Sequence, residues 1–186
     1  MQISDQILSM RDDCIKIRRD LHRIPEIGFE LHKTHEYIRP ILEDCRPDEL
    51  ITIAQTGFKV VFYAEGAERT VAFRADMDGM RNTEENRLRF RSRHRGVMHG
   101  CGHDGHMTIL LLLAKWISHN RSKLRCDCTI VMSSAATTIA STPICGVEAW
   151  ALLPWTLMTK SLVCAMRFSQ RMPILPAGTV GQRCRP

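Results

Sequence analysis

The stretch that most limits what this chain can fold into is "MTILLLLAKWIS", residues 107–118. Apolar side chains fill nearly every position, the pattern of a helix buried on more than one side rather than of an amphipathic surface helix. Such a helix must be covered all round, so other layers have to pack about it. "RTVAFRA" (69–75) precedes it and "CTIVM" (128–132) follows it, both rich in the β-branched residues that favour strands. Strand, crossover helix and strand make a βαβ unit, right-handed by the usual rule. A further strand, "FKVVFYA" (58–64), is separated from 69–75 by only "EGAE", which predicts an antiparallel hairpin between the two.

Upstream, Ile7, Met10, Cys14, Ile17 and Leu21 recur at spacings of three and four and predict one helix, with Ser4 as N-cap and Pro25 closing the segment. A second stripe, Leu31, Ile38, Ile41 and Leu42, is interrupted by Pro40, which removes a backbone donor and is expected to kink or shorten that helix. The fold class is therefore α/β, a mixed sheet with packed helices. The composition, 44% hydrophobic and 25% charged, is that of a globular chain. "MQISDQILSMRDD" has neither a long apolar core nor an Arg-rich bias, so no leader is visible and the cytoplasm is the default expectation. Eight scattered cysteines without an export signal read mostly as reduced thiols.

The polar chemistry gathers at one place. "RADMDGM" puts Asp76 and Asp78 at the carboxyl end of the strand before the buried helix, the edge where open α/β sheets hold ligands. "HGCGHDGH" (99–106) stands at the amino end of that helix. Cys101 and His103, two residues apart, can converge on one cation, and thiolate and imidazole both suit zinc. His99, Asp104 and His106 can serve as further ligands or as partners that hold an imidazole in one tautomer, and Asp78 is the natural orienting carboxylate. A surface turn with incidental histidines is the alternative for a single His, but not for three His and one Cys within eight residues.

Four stretches, "RRDLHRIPEIGFELHKT" (18–34), "TVAFRADMDGM" (70–80), "NTEEN" (82–86) and "SRHRGVMHGCGHDGHMTILLLLAKWI" (92–117), occur in an order that resembles a known family. The family is that of the metal-dependent amidohydrolases, which includes hippurate hydrolase, N-acyl-amino-acid amidohydrolases and plant indole-acetyl-amino-acid hydrolases, within the zinc-exopeptidase superfamily. The resemblance covers residues 1 to about 127. It implies the N-terminal portion of a zinc-exopeptidase-like catalytic domain, two divalent metal ions (zinc or manganese) and N-acyl amino acids as substrates. It also implies that Cys101 and His103 are the first two metal ligands and that Asp78 takes the carboxylate role beside them.

The resemblance further implies a Glu-Glu pair in a segment like "QPAEEG", supplying the general base and a ligand, and a His in a segment like "GLHN". Neither is present. Residues 129–186 hold one acid, Glu148, no His and five bases (Lys160, Arg167, Arg171, Arg183 and Arg185). This abrupt shift divides the chain into 1–128, the catalytic-domain portion, and 129–186, an irregular segment with a family-like remnant at 172–186. The expectation is a truncated or frameshifted relative in which the complete metal site is not encoded and the general-base Glu is missing. Translation of the gene in its other two frames should then reveal something like "QPAEE".

Two other features bear on partners. "RLRFRSRHR" (87–95) places Arg at every second position, and an extended backbone would carry five guanidinium groups on one face, suited to phosphate contacts. With Phe90 as its only aromatic and no binding module around it, a solvated basic loop is the expected role, and nucleic acid is not the expected partner. "AWALLPWTLM" (149–158) is too short to span a bilayer and favours self-association instead. Three functions follow in order: an amidohydrolase by descent, inactive as this chain; a non-catalytic metal-binding or interaction fragment; and a basic nucleic-acid binder.

Overall fold

The computed structural model describes residues 4–135. The sequence features at Glu148, 149–158 and 172–186 lie outside the described residues.

The architecture is mixed α/β. The first apolar stripe forms two helices rather than one, α1 (Asp5–Leu8) and α2 (Arg11–His22). The break falls at Ser9, whose hydroxyl donates to the Gln6 carbonyl at 2.8 Å and so competes with the helical ladder. The stripe still faces inward, for Ile17 and Leu21 are buried and Ile7, Met10 and Cys14 pack against the core. Ser4 flanks α1 without a side-chain cap. α3 (His32–Asp44) runs through Pro40 instead of stopping there. Pro40 and Glu36 both lie on the exposed face, so the carbonyl that proline leaves unpaired sits on the water side, while Ile38 and Leu42 anchor the buried face.

Four strands form the main sheet in the order β1 (Glu49–Ile53), β2 (Gly57–Phe62), β6 (Asp127–Ser133), β3 (Thr70–Asp76). The expected hairpin between 58–64 and 69–75 is corrected: β2 and β3 run in opposite directions but do not pair, because β6 lies between them, antiparallel to β2 and parallel to β3. A gap of one intervening strand is about 10 Å wide. The link from Tyr63 to Arg69 is long enough to cross it, where a tight turn is not. The true hairpin joins β2 to β1, with Ala54 and Gln55 at φ 44° and 70° in its turn.

The βαβ unit is as expected: β3, then α4 (His103–His119), then β6 parallel to β3. α4 packs on β3 and β6 with α2 and α3 across it. Met107, Leu110, Leu111, Leu112, Leu113, Ala114, Trp116 and Ile117 are all buried, which accounts for the unbroken apolar run. Cys128, the second thiol of "CDC", is strand core, and the five cysteines of the described residues are free. A small ribbon of β4 (Met80–Arg81) and β5 (Val97–Met98) returns the intervening loop to the carboxyl edge of the sheet. No helix among the described residues is long and apolar enough to cross a membrane.

Candidate metal centre

"HGCGHDGH" straddles a boundary. His99 to Gly102 are loop, and His103 opens α4, one turn earlier than the apolar run alone indicates. Gly102 stands just before the helix at φ 78°, in the left-handed region where a side chain is strained, so glycine is needed for the chain to turn into α4. β3 and β6 are parallel, so both carboxyl ends meet this turn. Met77 N–H donates to the Ser133 carbonyl at 2.9 Å, and Asp78 follows directly.

His103 Nδ1 lies 2.8 Å from the main-chain oxygen of Asp78 and 3.6 Å from its Oδ1. A carbonyl can only accept, so Nδ1 carries the proton and Nε2 of the neutral ring keeps its lone pair. This is the arrangement in which an outer partner fixes the tautomer of a ligating histidine. Asp78 Oδ1 also accepts the Ala135 N–H at 2.8 Å and ties the end of β6 to the site. Asp78 thus orients His103 chiefly through its backbone. Cys101 is exposed, its Sγ 3.8 Å from Met80 Sδ.

The remaining expected residues divide. His106 stacks obliquely on His103 with ring centroids 5.9 Å apart, and burial followed by the neighbouring His103 lowers its basicity. Asp76 pairs with Arg74 at 3.0 Å on the sheet. His99 is buried with both ring nitrogens unpartnered, and burial depresses it to about 4. Asp104 is wholly buried and turned to α2: its Oδ2 lies 2.8 Å from His22 Nδ1 and 3.3 Å from Arg18 Nε. His22 Nε2 lies 3.1 Å from Glu84 Oε1. Burial pushes the Asp104 carboxyl up, but the His22 hydrogen bond and the charges around it hold it below its ordinary value. The same bond raises His22 against the opposing effect of burial, and Glu84 adds to the rise. His22, Glu84 and Arg18 have no metal-ligand spacing in the sequence that marks them. Arg18 and His22 lie in "RRDLHRIPEIGFELHKT" (18–34) and Glu84 in "NTEEN" (82–86), two of the stretches that carry the family resemblance.

Cys101 and His103 fit a metal by chemistry but are two where a zinc site uses three or more. Cys101 and His103 offer a soft sulfur and a tautomer-fixed imidazole nitrogen, which suit zinc. Among the described residues no three His, Cys, Asp or Glu side chains are grouped to hold an ion. The segment 87–95 is turned at Leu88–Arg91 and His94–Val97 rather than extended, and its five arginines are all exposed. Arg19 stacks over Phe90 at 5.1 Å and takes up its one aromatic.

The parallel βαβ unit with Cys101 and His103 at its carboxyl edge lies in the part of the chain that is similar to metal-dependent hydrolases. Residues 72–135 match the model of Peptidase family M20/M25/M40. The chain is 44% identical over 113 residues to an N-acetyldiaminopimelate deacetylase of Halalkalibacterium halodurans, covering 60% of this chain and 30% of that protein. It is 45% identical over 114 residues to the enzyme of the same name from Streptococcus uberis, again 60% and 30%. Its fold is similar to that of a Bacillus subtilis dinuclear metal-binding peptidase of the M20 family, with a TM-score of 0.65, 29% identity and coverage of 69% of this chain and 36% of the other. The chain spans about 30% of the length of the curated relatives it matches.

Proposed function

We propose that residues 1–128 are the metal-gathering portion of an amidohydrolase for N-acyl amino acids, with Cys101 and His103 as ligands to a divalent ion, zinc or manganese. The observation that carries this reading is the His103 imidazole pinned at Nδ1 by the Asp78 carbonyl, at the carboxyl edge of β3 and two residues from an exposed thiol. When bound, a divalent ion supplies Lewis acidity toward an amide carbonyl. The relatives named for deacetylation of an N-acetylated amino acid support the substrate class.

As this chain stands, the reading is metal binding without turnover. Catalytic zinc sites use three or more protein ligands, and two hold an ion weakly. The carboxylate beside the pair is that of Asp78, whose Oδ1 already accepts the Ala135 N–H, and residues 136–186 add one Glu and no His. The intended partner is a small molecule in the cytoplasm, with self-association through apolar surface and no role for membrane or nucleic acid.

The test is to purify the full chain, measure bound zinc, manganese and cobalt, and assay N-acetyldiaminopimelate, hippurate and acetyl-amino acids. Weak metal binding that disappears in Cys101→Ala and His103→Ala, with no hydrolysis above background, is the expected result. Metal binding indifferent to both substitutions overturns the site, and hydrolysis abolished by them overturns the inactivity.

A further inference from the structure

We propose that His22 is a positioning residue for the metal-binding turn, holding Asp104 so that the first turn of α4 presents His103 to the Asp78 carbonyl. The proposal rests on the reading of Cys101 and His103 as ligands and adds to it a residue far away in sequence.

The geometry is a three-way junction. His22 closes α2, Asp104 sits in the first turn of α4 directly after His103, and Glu84 belongs to the loop between β4 and β5. The imidazole bridges the other two, with Nδ1 2.8 Å from Asp104 Oδ2 and Nε2 3.1 Å from Glu84 Oε1. Both partners are carboxylates, so both ring nitrogens donate and the ring is held at two points. Glu84 is fixed in turn, since its Oε2 accepts the Ser92 N–H at 2.7 Å. Phe90 meets the imidazole edge-on with centroids 5.5 Å apart. The side chains of His22, Glu84 and Asp104 are 8%, 4% and 0% exposed.

A charged cluster so deeply buried is a poor way to gain stability, because the cost of removing the charges from water offsets much of their attraction. It is a good way to fix one arrangement, because each carboxylate and the ring tolerate few others. Successive residues of an α-helix are locked in relative direction, so fixing Asp104 against α2 fixes the rotation of the turn that carries His103. Releasing it lets that turn rotate and weakens the hold of the Asp78 carbonyl on Nδ1. The loop that leads into His99 and Cys101 is tied to the same ring through Glu84.

The test uses the full chain with cobalt(II) as probe, read by the thiolate-to-cobalt absorption of Cys101, together with zinc competition and urea unfolding of the metal-free protein. His22→Ala should weaken metal affinity by about tenfold, the lower end of the effect of losing an outer partner, and diminish the absorption band. His22→Gln, which retains one donor for Asp104, should recover part of the loss. Should His22→Ala not fold, Glu84→Gln, which keeps shape and removes one charge from the clamp, decides in its place with a smaller loss in the same direction. Affinity and band within about twofold of wild type, whatever the urea midpoint, overturn the proposal and leave the ligand assignment intact. Absence of a thiolate band in the wild type overturns the ligand assignment itself and this proposal with it.

Discussion

Acid should destabilise this protein through His99 in a way that one substitution removes. The ring is 5% exposed, neither nitrogen has a partner, and burial depresses its folded value from 6.5 to about 4. A depressed basic group is protonated first in the unfolded chain. The stability it confers is whole above about 6.5 and drains away as the pH falls toward about 4. Over that full window the loss is about 3 kcal/mol, and between pH of about 7.5 and about 4.5 it comes to about 2.5 kcal/mol. His22 works in the opposite sense, since its raised value makes its contribution complete in acid and lost as the pH rises through it. Comparison with His99→Leu cancels that term, because His22 is present in both proteins. The substitution also removes two buried polar atoms that make no hydrogen bond, so at neutral pH it should cost about 1 kcal/mol or less. Urea unfolding of both metal-free proteins at the two pH values measures the difference of differences. Parallel loss of stability in wild type and His99→Leu would refute the assignment of a neutral, desolvated ring.

Two further substitutions probe how the site is carried. A Cβ at Gly57 would lie 2.6 Å from the Met132 carbonyl oxygen and 3.0 Å from that of Ile53, both backbone. Gly57→Ala should therefore cost about 3 kcal/mol, the upper end of overpacking, and loosen β2 from both neighbours; an unchanged urea midpoint would contradict the strand order. Glu26 caps α3 from outside, its Oε1 accepting the Lys33 N–H at 3.1 Å and its Oε2 the Thr34 N–H at 2.9 Å. Glu26→Ala should cost about 1 to 2 kcal/mol, as loss of a strong N-cap does, and speed hydrogen exchange at the first amides of α3 while leaving its last turn alone.

How much of this could be read from the sequence depends on where each partner lies. The βαβ unit was legible because residues 107–118 leave no polar face and the strands beside them are β-branched, so local pattern and global burial agree. The hairpin went to the wrong pair because the local spacing of 58–64 and 69–75 carries no trace of a strand that arrives some fifty residues later and wedges between them. β1 escaped notice since "ELITI" is short and exposes Ile51. At the site, the density of His and Cys exposed the turn itself. Its supports were hidden for two physical reasons. His22 reaches Asp104 across 82 residues and Glu84 across 62, and a lone histidine at a helix end has no periodic signature. The partner that sets the tautomer of His103 is a main-chain oxygen, which every residue possesses, so nothing about the side chain at position 78 encodes it. What encodes it is the parallel register of β3 on β6, which carries Met77 onto Ser133 and leaves the next carbonyl facing α4. The aspartate side chain serves the same end from the other direction, since its bond to the Ala135 amide holds the end of β6 in that register. The residue type and the backbone atom at one position thus do different work, and only the second touches the imidazole in hydrogen-bonding range.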